Sequence, residues 1–156
     1  MTFDEAREIL AALATQKVEY VLVGSMAMAA QGLPRATRDI DFFVSPQREN
    51  IERLKCALKS LFDDPEIDEI NPDELAGEFP AVQYVPPHGR YSIDIMTRLG
   101  DAFYFQDLKY EVLDLASIQI RVATPATLYK MKKDTVRPQD RVDAERIREV
   151  FDLKEE

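Results

Sequence analysis

The sequence contains one cysteine, Cys56, and one histidine, His88. A single thiol excludes an internal disulfide framework and a multi-cysteine zinc site. A lone imidazole argues against a histidine-built metal centre. No apolar run approaches the ~20 residues needed to cross a bilayer, so no membrane association is expected. The first residues are acidic and polar, without the basic and apolar regions of a secretory signal; the expected compartment is the cytoplasm. Glycine is scarce, at 5 residues against 9 prolines, and there is no repeat, low-complexity tract or linker. At ~150 residues per domain, the 156 residues are expected to form one domain spanning 1–156. Basic charge is also in deficit, with 20 Lys and Arg against 29 Asp and Glu, for a net charge of −9. Eight of those acids lie between Asp63 and Glu78, a stretch with no base, and the rest of the chain is close to neutral. A polyanion grip by the whole protein is thereby excluded. Lys130 to Arg148 reverses the balance, with 7 bases against 4 acids, and leaves room for a local anion site.

What is present reads as alternating helices and strands. Thr2 and Glu5 form a capping-box pattern, followed by the stripe Phe3, Ala6, Ile9, Leu10 and Leu13 at helical spacing. Tyr20–Val23 is a continuous apolar run with strand character, ended by Gly24-Ser25. Met26–Gln31 predicts a short helix stopped by Gly32 and Pro34. Asp39–Val44 predicts the second strand, and Ser45 with Pro46 the cap of a third helix, whose stripe is Ile51, Leu54, Leu58, Leu61 and Phe62. The acidic stretch with Pro65 and Pro72 reads as a solvated loop. Phe79–Val85 and Tyr91–Met96 predict strands joined by the Pro86-Pro87-His88-Gly89 turn. Tyr110–Asp114 and Ile118–Val122 are weaker strands. Thr124-Pro125 opens a helix to about Lys133, and Arg137-Pro138 opens the last. The fold class is α/β (α+β), a mixed β-sheet flanked by helices.

The chemistry concentrates in two matched strands. In Asp39-Ile40-Asp41, residues two apart share a face, so both carboxylates project together while Ile40 points to the core. Their Cα atoms lie about 6.6 Å apart at strand rise. Two carboxylates brought to about 4 Å repel by ~4 kcal/mol at an effective dielectric of ~20. A hard dication would offset that repulsion. Ile93-Asp94-Ile95 repeats the pattern. If the two strands are neighbours, three carboxylates converge, and such a set without His or Cys suits magnesium, best as magnesium-nucleotide. The alternative is a pair of aspartates facing solvent from an edge strand. Gly24-Ser25 at a strand-to-helix junction exposes backbone N–H groups of the kind that attract phosphate; a plain turn with Ser25 as cap is the alternative.

Gly24-Ser25, then Arg35-Ala36-Thr37-Arg38-Asp39-Ile40-Asp41, then Ile93-Asp94-Ile95 resembles the nucleotidyltransferase superfamily, the DNA polymerase β-like fold. Gly24–Asp41 is most similar to the branch named after the abortive-infection toxin AbiEii, which includes toxins of toxin–antitoxin pairs. Met131-Lys132, Arg137, Asp140 and Asp143 resemble that branch's later element. The resemblance covers about Val21–Ile147.

It implies a nucleotidyltransferase that moves a nucleoside monophosphate from a nucleoside triphosphate to an acceptor hydroxyl, with pyrophosphate leaving. It further implies that Asp39, Asp41 and Asp94 bind magnesium and that Asp94 helps deprotonate the acceptor. Gly24 and Ser25 would cradle phosphates. Lys132 would neutralise the triphosphate, oriented by Asp140 and Asp143 from one helix face, and Arg35 and Arg38 would reach phosphate from their loop. A charged, solvated helix is the alternative for Lys132, Asp140 and Asp143, as a solvated loop is for Arg35 and Arg38. Longer members of the branch add a second lobe, and the residues left here are few for binding a bulky RNA acceptor. The readings carried forward are a toxin-like enzyme acting on RNA, an antitoxin adenylylating a protein partner, and a non-catalytic nucleotide- or partner-binding module. A cognate toxin or antitoxin partner follows from the first two, and the apolar stripes allow a homodimer. His88 reads as an exposed turn tip and Cys56 as structural. Tyr84, Tyr91 and the Phe103–Phe105 cluster read as core aromatics, with base stacking as the alternative.

Overall fold

The apolar runs Tyr20–Val23 and Asp39–Val44 become neighbouring strands in the middle of a six-stranded sheet. The computed structural model describes residues 1–154; the last two of the expected 1–156 span lie outside the described residues. In chain order the first half contains α1 (Phe3–Thr15), β1 (Tyr20–Val23), α2 (Gly24–Ala30), β2 (Asp39–Val44), α3 (Arg48–Leu61) and α4 (Pro72–Leu75). Strands β3 (Ala81–Tyr84), β4 (Ser92–Met96), β5 (Arg98–Leu99), β6 (Phe103–Tyr104), β7 (Tyr110–Leu115) and β8 (Ile118–Ala123) follow. Helices α5 (Pro125–Lys132) and α6 (Pro138–Val150) complete the order.

The large sheet runs β3-β4-β2-β1-β8-β7. β2 is antiparallel to β1 and parallel to β4, while β1 is parallel to β8. The outer pairs β3/β4 and β7/β8 are antiparallel. This is the mixed, helix-flanked sheet expected from the sequence. α1 packs against α3 and β8, α2 lies on β1 and β2, and α5 packs against α6 and touches α2. The central strands are the core: Ile40, Phe42, Phe43, Val44 and Ile93 are 0% exposed. No helix among the described residues is long and apolar enough to cross a membrane.

Local sequence explains most boundaries. The Thr2 capping box forms, with Thr2 Oγ1 accepting from the Glu5 amide and Glu5 Oε1 from the Thr2 amide. Ala6, Ile9, Leu10 and Leu13 are buried, but Phe3 is 56% exposed, so the stripe begins one turn later than its spacing suggests. α3 starts at Arg48 with Gln47 as its N-cap, not at Ser45. Ser45 is held by other bonds. Buried Asn50 donates to the Ser45 and Glu19 carbonyls and accepts from the Glu19 amide at 2.7 Å. One amide side chain thus joins the start of β1 to the end of β2.

The acidic stretch is not a solvated loop. Asp64 caps a 3-10 turn over Pro65–Glu69 and Asn71 caps α4. Ile67, Ile70 and Leu75 are buried. The Tyr84 hydroxyl donates to Asp64 at 2.8 Å, and Lys59 and Arg48 of α3 pair with Asp68 and Asp73. Apolar anchors every few residues hold the segment down, and its acids face outward. The β5/β6 hairpin, which the sequence reading does not anticipate, turns through Gly100 at φ +57°. Its signal is a glycine inside a three-residue loop between two short β-forming pairs.

Candidate active site

Period-two alternation along β2 buries Ile40 and Phe42 and leaves Asp39 and Asp41 half-buried on the other face. The parallel pairing with β4 sets the register: Asp39 faces Ser92 and Asp41 faces Asp94. Adjacent strands lie ~4.8 Å apart, so the carboxyl groups of Asp41 and Asp94 meet. The Asp41 pKa is pushed up to about 7, first by burial, then by the close approach and charge of the Asp94 carboxyl and by the charge of Asp39. Lys132 pulls in the opposite direction.

Gly24 is required beside this pair. It opens α2 at φ +71°, and an added Cβ would stand 2.1 Å from Asp41 Oδ2. The glycine lets Asp41 sit against the β1–α2 junction. Ser25 lies next to it on the wall of a cavity of about 470 Å³. Asp39, Asp41 and Asp94 line the same cavity, together with Lys132, Asp140 and Arg35.

Lys132 is held rather than solvated. Its Nζ donates to Asp140 Oδ1 at 3.3 Å and to Asp143 Oδ2 at 3.1 Å. Thr135 Oγ1 donates to the other Asp140 oxygen at 3.0 Å. Asp143 is buried behind the wall, where it also pairs with Arg35. The three-residue spacing of Asp140 and Asp143 on α6 puts both carboxylates on the face that meets α5.

Two expectations meet a different arrangement. Arg38 is exposed and off the cavity wall, whereas Arg35 is on it. Arg35, Ala36 and Thr37, just before β2, run along the cavity, and the chain turns Arg38 outward where the strand begins. Second, the three carboxylates do not close on one point. Asp39 Oδ1 accepts from Ser92 Oγ at 2.5 Å, and among the described residues no three His, Cys, Asp or Glu groups are arranged to hold a metal ion. The Asp41–Asp94 pair still fits a hard cation. Two close carboxylates, one with its pKa forced upward, gain from a positive charge between them, and magnesium is commonly held by one or two carboxylates plus substrate phosphates.

The remaining sequence candidates lie elsewhere. His88 is exposed in its turn, with its ring centroid 4.6 Å from that of Tyr91. Cys56 is exposed on α3, outside the buried stripe. Tyr84 and Tyr91 are buried, and Phe103 and Phe105 pack partly against the core. The hairpin contributes Leu99 to the cavity, beside Met96 and Met131. This apolar end was not read from the sequence, because it joins three separate elements.

The sheet order, the paired aspartates beside a glycine turn and the buttressed lysine define a nucleotidyltransferase. The family model described as nucleotidyl transferase AbiEii toxin, type IV TA system, matches residues 8–155, and the chain belongs to this family. Curated protein sequences yield no match. Among solved structures, Thermotoga maritima TM1012, described as a candidate nucleotidyltransferase, aligns with a TM-score of 0.56 at 18% identity, covering 97% of this chain and 92% of its own. ANT(2″)-Ia in complex with adenylyl-2″-tobramycin aligns with a TM-score of 0.59 at 12% identity, covering 97% and 89%. The solution structure of ANT(2″)-Ia gives 0.58 at 14%, covering 97% and 84%. These distant neighbours share the fold.

Proposed function

We propose that this nucleotidyltransferase moves a nucleoside monophosphate from a magnesium-bound nucleoside triphosphate to an acceptor hydroxyl, as the toxin of a toxin–antitoxin pair. The observation that carries the reading is the register of Asp41 with Asp94 beside Gly24. Support also comes from the family description, which names a toxin of a type IV system. A likeness of fold to ANT(2″)-Ia, solved with an adenylylated small molecule, fits the transfer chemistry.

In this reading Asp41 and Asp94 hold the magnesium ion, with Asp39 beside them. The bound ion supplies positive charge against the triphosphate and the departing pyrophosphate. Gly24 and Ser25 let the phosphates approach the backbone closely. Lys132, fixed by Asp140 and Asp143, neutralises the phosphate chain as a compact positive charge. The acceptor oxygen forms a bond to the α-phosphorus while the bond from that phosphorus to the bridging oxygen breaks. The acceptor proton passes to the Asp94 carboxylate. The apolar end at Met96, Leu99 and Met131 receives the base. The reaction draws on the triphosphates of the cytoplasm, and a cognate antitoxin is the expected partner.

The test is incubation with each labelled triphosphate, magnesium, total RNA and cell protein. Label on RNA supports the proposal. Label on protein instead points to an antitoxin-like adenylylating enzyme, and label on neither to a nucleotide- or partner-binding module. In parallel, magnesium with a triphosphate should raise the melting temperature of the protein. Asp39→Ala with Asp41→Ala should abolish that gain, and an unchanged gain would refute the metal assignment.

A further inference from the structure

Two cations from separate parts of the chain meet on one oxygen atom. Arg35 Nη1, from the segment between α2 and β2, and Lys132 Nζ, from the last turn of α5, both bond Asp143 Oδ2. Gln139 Nε2 takes the other oxygen, Oδ1, at 3.0 Å. Asp143 is 3% exposed and stands behind the cavity, while Arg35 and Lys132 are on its wall. Asp140, which also bonds Lys132 Nζ, balances the cluster at two cations to two carboxylates. Packing both cations against one oxygen still crowds like charges, and an anion on their cavity side relieves that crowding.

The cavity is polarised in the matching sense. Its strand-borne wall carries Asp39, Asp41 and Asp94, and its loop- and helix-borne wall carries Arg35, Lys132 and Arg137 against one acid, Asp140. A triphosphate with its divalent cation has the complementary polarity. We infer that Arg35 is a second phosphate-binding residue for the nucleoside triphosphate, acting beside Lys132, and that Asp143 is the positioning residue that holds both. The inference rests on the triphosphate reading above. A guanidinium carries five N–H donors in a planar fork that matches phosphate oxygens. Asp143 engages Nη1, and the rest of the fork serves the phosphate. The same contact pins the segment between α2 and β2 against α6, so the loop that delivers Arg35 is held where the phosphates enter.

The experiment measures equilibrium binding of the four labelled triphosphates with magnesium, with inorganic tripolyphosphate as competitor, for wild type, Arg35→Met, Arg35→Lys and Asp143→Asn. Arg35→Met should weaken triphosphate and tripolyphosphate binding on the order of tenfold, the scale of one charge-assisted hydrogen bond. Arg35→Lys should lose less, since it keeps the charge and gives up the fork. Adding Arg35→Met to Asp143→Asn should cost less than it does alone, because Asp143→Asn has already released the guanidinium. A purely structural tie would lower the melting temperature of Arg35→Met and leave tripolyphosphate affinity untouched, and that result overturns the assignment. Should Arg35→Met fail to fold, Arg35→Lys decides, with unchanged tripolyphosphate affinity counting against the role. A wild-type protein that binds no triphosphate removes both this inference and the reading beneath it; a wild type that binds while Arg35→Met binds equally removes this inference alone.

Discussion

A β-carbon placed on Gly24 would stand 2.1 Å from Asp41 Oδ2. The glycine and the aspartate are separated by 17 positions in the chain, yet neither environment exists without the other. β1 delivers Gly24 at its end, and the antiparallel pairing of Val23 with Asp41 brings the carboxylate alongside.

Gly24→Ala is therefore expected to fail twice. The new methyl displaces the Asp41 carboxylate, and an L-residue at φ +71° adds backbone strain of roughly 1–2 kcal/mol. Nucleotidyl transfer should fall by at least ~100-fold while the far-ultraviolet circular dichroism stays native. Transfer within a few-fold of wild type would contradict the contact.

Acid and base should act on the metal-free protein in a defined direction. The Asp41 carboxyl is raised from 3.8 to about 7 in the folded chain. A raised acid contributes stability that is fully present below its unfolded value and lost as pH climbs through its folded value. The metal-free protein should thus lose stability between about pH 4 and pH 7 through this group. Asp94→Asn, which removes the facing negative charge, should flatten that slope, and magnesium should shift the loss. Denaturant melts across the pH range, with and without the cation, provide the check; identical slopes for wild type and Asp94→Asn would contradict the pairing.

Removing Lys132 should reveal what it compensates. Lys132→Met leaves Asp140 and Asp143 largely buried with one cation fewer, a change expected to cost roughly 3 kcal/mol of stability. Adding Asp140→Asn should restore part of that loss without restoring transfer. A double-mutant cycle by urea denaturation measures the coupling, and strict additivity would mean that the two side chains do not interact.

Asn50→Ala tests the scaffold apart from the site. It strips three hydrogen bonds from backbone groups of part-buried Glu19 and buried Ser45, for a loss of about 2–4 kcal/mol. Triphosphate affinity below the melting range should be unchanged. A marginal effect on the melting temperature would show that water replaces the amide there.

The sequence by itself determined the strands of the large sheet, the starts of α1, α5 and α6 and the shared face of Asp39 and Asp41, because periodicity and capping act over a few residues. It misplaced the start of α3, since the Asn50 bridge from Ser45 to Glu19 is not local, and it read the acidic stretch as solvated although Ile67, Ile70 and Leu75 anchor it. Only the tertiary structure decided that β2 and β4 lie side by side in the register that sets Asp41 against Asp94 and gives Asp39 to Ser92. The same holds for Arg35 and Lys132, which share one oxygen of Asp143. Those meetings depend on strand order and helix docking across 50 to 110 positions, where short-range sequence pattern carries no information about which partner is met.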